Sequence, residues 1–232
     1  MSHALINNEI AESIIDKLYE DSIVNYVSSE PTRKVIHVSD LTQDCMRKAW
    51  YRLNDYAKDL KDFKHSLPLA HGTALHNICN LGGVEHELSM FCDIQDMVSL
   101  PRHDGGISGF NCIKGSMDDL VEIDGELIIC DKKTHKKGLP KVAKEQHIRQ
   151  MSIYKLLYFI TTGVEIKRAA IIYIEKVTAW ERHQTRVFDL PSIENIREFV
   201  LPKLQVLDTK TPPPKVTGFL CTWCDYYETC KP

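Results

Sequence analysis

The chain has 232 residues, a formal net charge of −3, 43% hydrophobic residues and 8 cysteines. The length suits one large domain or a domain with appendages, and the apolar share can fill a sizeable core. The charge excludes a polycationic nucleic-acid binder, so a nucleic-acid partner would have to meet a local basic patch. No apolar run reaches the roughly 18 residues of a transmembrane helix. The N-terminus, MSHALINNEIAESIIDKLYED, has acids and no continuous apolar block, unlike a signal peptide. Without an export signal the cysteines read as metal ligands before disulfides, and the expected location is cytoplasmic.

Taken in order, residues 8–27 carry Ile10, Ile14, Leu18, Ile23 and Val27 at helical spacing, which predicts an amphipathic helix. A linker with Pro31 leads to a short extended run, Val35 to Val38. Ser39 or Asp40 then caps a predicted helix, SDLTQDCMRKAWYRLN, that carries Cys45 and the bases Arg47, Lys48 and Arg52, read as a solvated face. Residues 55–67 lack periodicity and read as a loop or helix end. Between Gly72 and the Gly82-Gly83 stop lies a helix carrying His76. Residues 84–100 alternate toward a strand, and residues 101–110 form a Gly-rich loop.

The stretch Gly115 to Lys133, GSMDDLVEIDGELIICDKK, reads as a hairpin about Asp124-Gly125. A two-residue turn pairs Ile123 with Glu126. Followed outward, that register sets Asp118 opposite Asp131, with Cβ atoms roughly 5 Å apart. Lys133 falls on the same face as Asp131. Two opposed carboxylates destabilise a sheet unless something sits between them, and a divalent cation would resolve the conflict. Read alone, the pair is either such a cation site or a solvated rim.

Beyond it, Lys132, Lys133, Lys136, Lys137, Lys141, Lys144 and Arg149 face a single acid, Glu145, over residues 132–149. This is a solvated loop or, beside an acidic metal pair, a patch that guides phosphates. A helix over about 141–162 puts Gln150 and Tyr154 on one face, and Gly163 ends it. A buried strand at 168–176, an alternating strand at 180–190, and a helix from Ser192 to about Val206 follow. Pro212 to Pro214 breaks the chain before the cysteine-rich tail with Cys221, Cys224 and Cys230. The antiparallel hairpin and the strand–helix–strand crossover predict an α/β fold: a mixed central β-sheet flanked by helices.

In order, the chain holds G-x-x-x-H (Gly72 to His76), G-x-x-D (Gly115 to Asp118), D-x-K-T (Asp131 to Thr134), Q-x-x-x-Y (Gln150 to Tyr154), and Cys45 with C-x2-C-x5-C (Cys221, Cys224, Cys230). Each is weak alone. The ordered set resembles the PD-(D/E)XK superfamily, specifically its RecB-like iron–sulfur exonucleases and, among those, the CRISPR-associated Cas-four family. The resemblance covers residues 39–230.

It implies a restriction-endonuclease-like core over 69–206, an N-terminal helical region over 1–68 contributing Cys45, and a cluster-bearing tail over 207–232. It further implies a metal-dependent deoxyribonuclease acting 5′-to-3′ on single-stranded DNA in spacer acquisition. CRISPR integrase proteins would be its partners, no membrane is involved, and a homo-oligomer is left open. A viral or repair nuclease would show the same motifs, and a silent DNA-binding or adaptor module is the competing class.

The implied metal ligands for magnesium or manganese are His76, Asp118, Asp131 and the carbonyl of Lys132, with Lys133 holding water and Gln150 and Tyr154 adjoining the site. Many such nucleases have Glu where this chain has Asp131, a shorter carboxylate. Cys45, Cys221, Cys224 and Cys230 would hold a [4Fe–4S] cluster, with zinc as the runner-up; four thiolates suit either. Trp50, Tyr51, Trp223, Tyr226 and Tyr227 are read as packing around that centre, or as platforms for unpaired bases.

Overall fold

The computed structural model describes residues 8–28, 35–59, 62–78, 80–94, 112–135, 138–175 and 182–231. Its centre is a six-stranded mixed sheet. Strands β3 (Cys112–Ile123) and β4 (Glu126–His135) form the hairpin around Asp124 and Gly125. Both turn residues have positive φ, +52° and +79°, as a two-residue turn matched to the right-handed strand twist requires. The register runs from Ile123↔Glu126 to Asp119↔Cys130. The paired register ends there, one step short of Asp118 and Asp131.

β1 (Ile36–His37) and β2 (Glu85–Asp93) also pair with β3, in parallel and antiparallel fashion respectively. Ile113 is partnered by both Ile36 and Cys92, so β1 and β2 lie on opposite edges of β3. Asp119 is partnered by both His86 and Cys130, so β4 too lies opposite β2. β4 therefore leaves the β3 edge midway, and β1 takes up the same edge further along. From β4 the chain crosses through α5 (Glu145–Thr162) to β5 (Arg168–Glu175), which pairs with β4 in parallel. β6 (His183–Asp189) closes the far edge, antiparallel to β5.

The helices differ from expectation in instructive ways. α1 (Asn8–Ser28) runs one residue past the predicted span, and it packs on the helix Phe63–Ile78 while Ile14, Ile15 and Leu18 stay exposed. The single helix expected from Ser39 is two: α2 (Val38–Leu41), with Asp40 accepting from the His37 amide at 2.8 Å, and α3 (Met46–Leu53). Between them Lys203 Nζ takes the carbonyls of Leu41 (2.8 Å) and Gln43 (2.6 Å), so the break is satisfied from a distant helix. α4 (Phe63–Ile78) begins before Leu69 and runs through Pro68. α5 starts four residues later than expected, at Glu145, and ends at Gly163 with φ +76°. Ser192 caps α6 (Ile193–Leu207), accepting from Asn195 N at 3.3 Å. The predicted strand beyond residue 94 and the loop at 101–110 lie outside the described residues.

The core joins the α5-facing side of the sheet to α3, α5 and α6: Ile113, Met117, Leu120 and Ile129 meet Met151, Ile153 and Leu157, with Trp50 and Val200 beyond. A smaller group, Ile128, Cys130 and Ala170, packs on the other side of the hairpin. No helix among the described residues is long and apolar enough to cross a membrane.

Candidate active site

The place where β4 leaves β3 is made by a side chain. Asp118 Oδ2 accepts the Lys132 backbone N–H at 2.9 Å, a donor that would otherwise extend the hairpin ladder. Asp118 is 6% exposed and Asp131 is 1% exposed, so both carboxylates are buried and neither stands on a solvated rim. Lys133 Nζ lies 2.9 Å from Asp131 Oδ1 and 2.7 Å from Oδ2. The i, i+2 relation along β4 puts both on the face covered by α5.

From α5, Gln150 Nε2 donates to the Tyr154 hydroxyl at 3.0 Å. Burial raises the Tyr154 pKa, with the charge of Asp131 next and Asp118 and Glu87 adding to it, so the phenol stays protonated beside the acids. Gly115 belongs to this contact. A Cβ there would lie 2.7 Å from Val38 Cγ2 and 2.8 Å from Tyr154 Cε1, so glycine is what admits the tyrosine to the sheet. Beside them, between β1 and Tyr154, a cleft of about 520 Å³ is lined by His37, Ser39, Lys114 and Ser116. His76 lies on α4, and its side chain is outside the described residues. Among the described residues no group of three or more His, Cys, Asp or Glu is gathered to hold a metal ion.

Three features escape a reading by motif. Glu87 stands where the β2–β3 register skips Asp118, has φ +51°, and is among the charges felt by Tyr154. Behind the site, Asp119 binds Lys132 Nζ at 2.7 Å, His86 Nδ1 at 2.8 Å and the Leu81 amide at 3.2 Å. Burial works to raise the Asp119 pKa, but these donors outweigh it and hold the carboxyl below its ordinary value. The side chain of Lys132 is thus spent inside the protein and is removed from the expected phosphate-guiding patch. Third, Lys144, His135, His147 and Tyr173 form a cluster next to Lys133. The doublets Asp118-Asp119 and Lys132-Lys133 were the available signal, since neighbours on a strand face opposite ways.

The four tail-pattern cysteines share one cavity. Cys45, Cys221, Cys224 and Cys230 line a space of about 380 Å³ together with Arg47, Lys48, Tyr51, Lys215 and Lys231. Cys45 is not on the helix as expected but stands as the N-cap of α3. The bases read as a solvated face instead bind the chain to itself: Arg47 Nε donates to Pro213 O at 2.6 Å, Lys48 pairs with Asp225 at 2.9 Å, and Arg52 joins Asp40 and Val35 O. Arg47 Nη1 also approaches Cys230 Sγ at 3.9 Å, and the Gly218 amide donates to Cys221 Sγ at 3.4 Å. Burial raises the Cys224 thiol. Trp50, Tyr51 and Tyr226 are buried and pack here, whereas Trp223 and Tyr227 are exposed.

The solved structure of SSO0001 superposes with a TM-score of 0.54 at 18% identity, over 94% of this chain and 96% of that one, and shows a shared fold. An alkaline exonuclease (LHK-Exo) from Laribacter hongkongensis superposes with a TM-score of 0.40 at 15% identity, over 81% and 92%, too distant to carry an argument. No curated protein matches the sequence. The model of the PD-(D/E)XK nuclease superfamily matches residues 10–231, taking in the parted hairpin, its covering helix and the cysteine-bearing tail. On that match, the chain belongs to the PD-(D/E)XK nuclease superfamily.

Proposed function

We propose that this nuclease is a metal-dependent DNA exonuclease that cuts single strands in the 5′-to-3′ direction and serves CRISPR spacer acquisition. The observation that carries the catalytic part is the pair of buried carboxylates, Asp118 and Asp131, with Lys133 Nζ at 2.7 Å from the second. Polarity, strand preference and the CRISPR role rest on the motif resemblance alone.

The donor set fits a hard divalent cation, manganese or magnesium, which takes oxygen ligands. Asp118, Asp131, the Lys132 carbonyl and His76 would hold it, His76 inclining the site toward manganese. When bound, such an ion neutralises phosphate charge and acidifies water. The chain's own groups do the remainder. Lys133 holds the attacking water and donates to the charge that builds on the phosphate. Asp131 fixes that ammonium in place. Tyr154, with its oxygen accepting from Gln150, keeps its own proton to donate. Glu87 adds a further acid at the rim.

The four thiols around one cavity fit a [4Fe–4S] cluster, which would supply a structural tie between α3 and the tail. Donors at Arg47 and Gly218 are already directed at two of the sulfurs.

The test is a nuclease assay on end-labelled single-stranded DNA with manganese and with magnesium. Wild-type protein is expected to cut, and Asp131→Ala and Lys133→Ala to lose at least about 100-fold in rate while staying folded. A folded Asp131→Ala protein cutting at the wild-type rate would remove the reading. No cutting by wild type with either metal would point to a DNA-binding module.

A further inference from the structure

Next to the acid pair, the face of β4 that carries Asp131 and Lys133 continues to His135. Lys144, the residue before α5, lays its Nζ 2.8 Å from His135 Nε2. An ammonium can only donate, so His135 is a neutral imidazole whose proton sits on Nδ1. That buried Nδ1 has no hydrogen-bond partner among the described residues. Behind them the Tyr173 hydroxyl accepts the Lys144 amide at 2.9 Å and shares a hydrogen bond of 2.8 Å with His147 Nδ1, and burial holds His147 neutral.

The carboxylates nearby are engaged elsewhere. Glu145 pairs with Arg149, and Glu175 accepts the Gly138 amide at 2.7 Å. Lys144 makes no ion pair among the described residues: an exposed cation rests on a neutral ring, beside Lys133 and at the positive end of the 18-residue α5. A donor left buried without an acceptor, and a cation left without an anion, both call for the same ligand.

We propose that Lys144 and His135, braced by Tyr173 and His147, form a subsite for a phosphodiester of the nucleic-acid strand adjacent to the one at Asp118 and Asp131. This rests on the nuclease reading of that acid pair. Lys144 moves from the His135 ring to a phosphate oxygen, and the released imidazole turns its Nδ1–H to the same phosphate. Such a contact carries no base information; it sets the register of the strand.

The experiment measures binding of a fluorescein-labelled single-stranded oligonucleotide in EDTA, where no cutting occurs, across a salt series. Lys144→Gln is expected to weaken binding about five- to tenfold and to reduce the salt slope by about one. Lys144→Arg should keep most of the affinity, and Lys210→Gln, the same charge change at an exposed lysine after α6, should keep all of it. In cleavage assays the Lys144→Gln loss should fall on KM. Unchanged affinity and salt slope in Lys144→Gln, with wild type cutting normally, overturns the subsite alone. A wild type that binds but never cuts, with the Lys144→Gln defect intact, overturns the nuclease reading and leaves the subsite standing.

Discussion

Lys132 Nζ and Asp119 Oδ2 are 2.7 Å apart on the sheet face opposite Lys133 and Asp131, at 1% and 0% side-chain exposure. The same Lys132 gives its backbone amide to Asp118. One residue therefore ties the acid pair on one face to a buried ion pair on the other. Removing one member of a buried pair leaves an uncompensated charge, which costs about 3–5 kcal/mol. Lys132→Met should lower the denaturant midpoint accordingly, and Asp119→Leu with Lys132→Met should recover most of the loss. A double-variant loss equal to the sum of the Asp119→Leu and Lys132→Met losses would show that the pair is not coupled.

Gly115 supplies a second test. A methyl at this position must push Tyr154 or Val38 aside. Gly115→Ala should cost about 1–3 kcal/mol, the range for overpacking a filled core. Tyr154→Leu in the same background should return part of it in thermal melts. No change in the melt of Gly115→Ala would mean that the tyrosine does not press on the strand.

A third concerns the cysteine cavity. Anaerobically purified wild-type protein should be brown, with visible absorption. Cys45→Ser or Cys221→Ser should lose that absorption and about 2–5 kcal/mol or more of stability, as loss of a covalent tie between distant segments does. Asp131→Ala should keep the colour. Colourless protein carrying stoichiometric zinc would replace the cluster with the runner-up.

The fourth is a pH dependence. Burial, with the charges of Lys133 and Lys144 close by, pushes His147 down to about 4 from an ordinary 6.5. Between these values the unfolded chain binds a proton that the folded protein refuses, so this contribution to stability is whole above pH 6.5 and falls away as the pH drops toward 4. The melting temperature should decline across this window, and His147→Gln should flatten the decline. An equal decline in His147→Gln would assign it to other groups.

Much of this was legible from residue order. The Asp-Gly turn specified the hairpin register, because a two-residue turn admits only one pairing, and β4 crosses to β5 through a helix as the spacing requires. The interruption at Thr42 to Cys45 was not legible, because it depends on Lys203, far along the chain, capping two carbonyls. Nor was the burial of Lys132: a run of lysines looks like a solvated patch until Asp119 is known to stand across the strand from it. Tyr173 and His147 carry no motif and meet only where the start of α5 comes against β5. Local chemistry fixes turns and caps; the ties between remote segments emerge only when the sheet is assembled.

The way β3 and β4 part has a consequence for how variants at residue 118 should be interpreted. The carboxylate is both a charge and a wedge, because its oxygen occupies the place of a backbone carbonyl in the ladder. Asp118→Asn retains an acceptor oxygen and so preserves the opening while deleting the charge. Asp118→Ala deletes both and frees the Lys132 amide to seek a backbone carbonyl of β3, which would zip the hairpin shut and displace Asp131 with it. The alanine variant therefore measures a change of sheet topology as well as chemistry, and the asparagine variant separates the two.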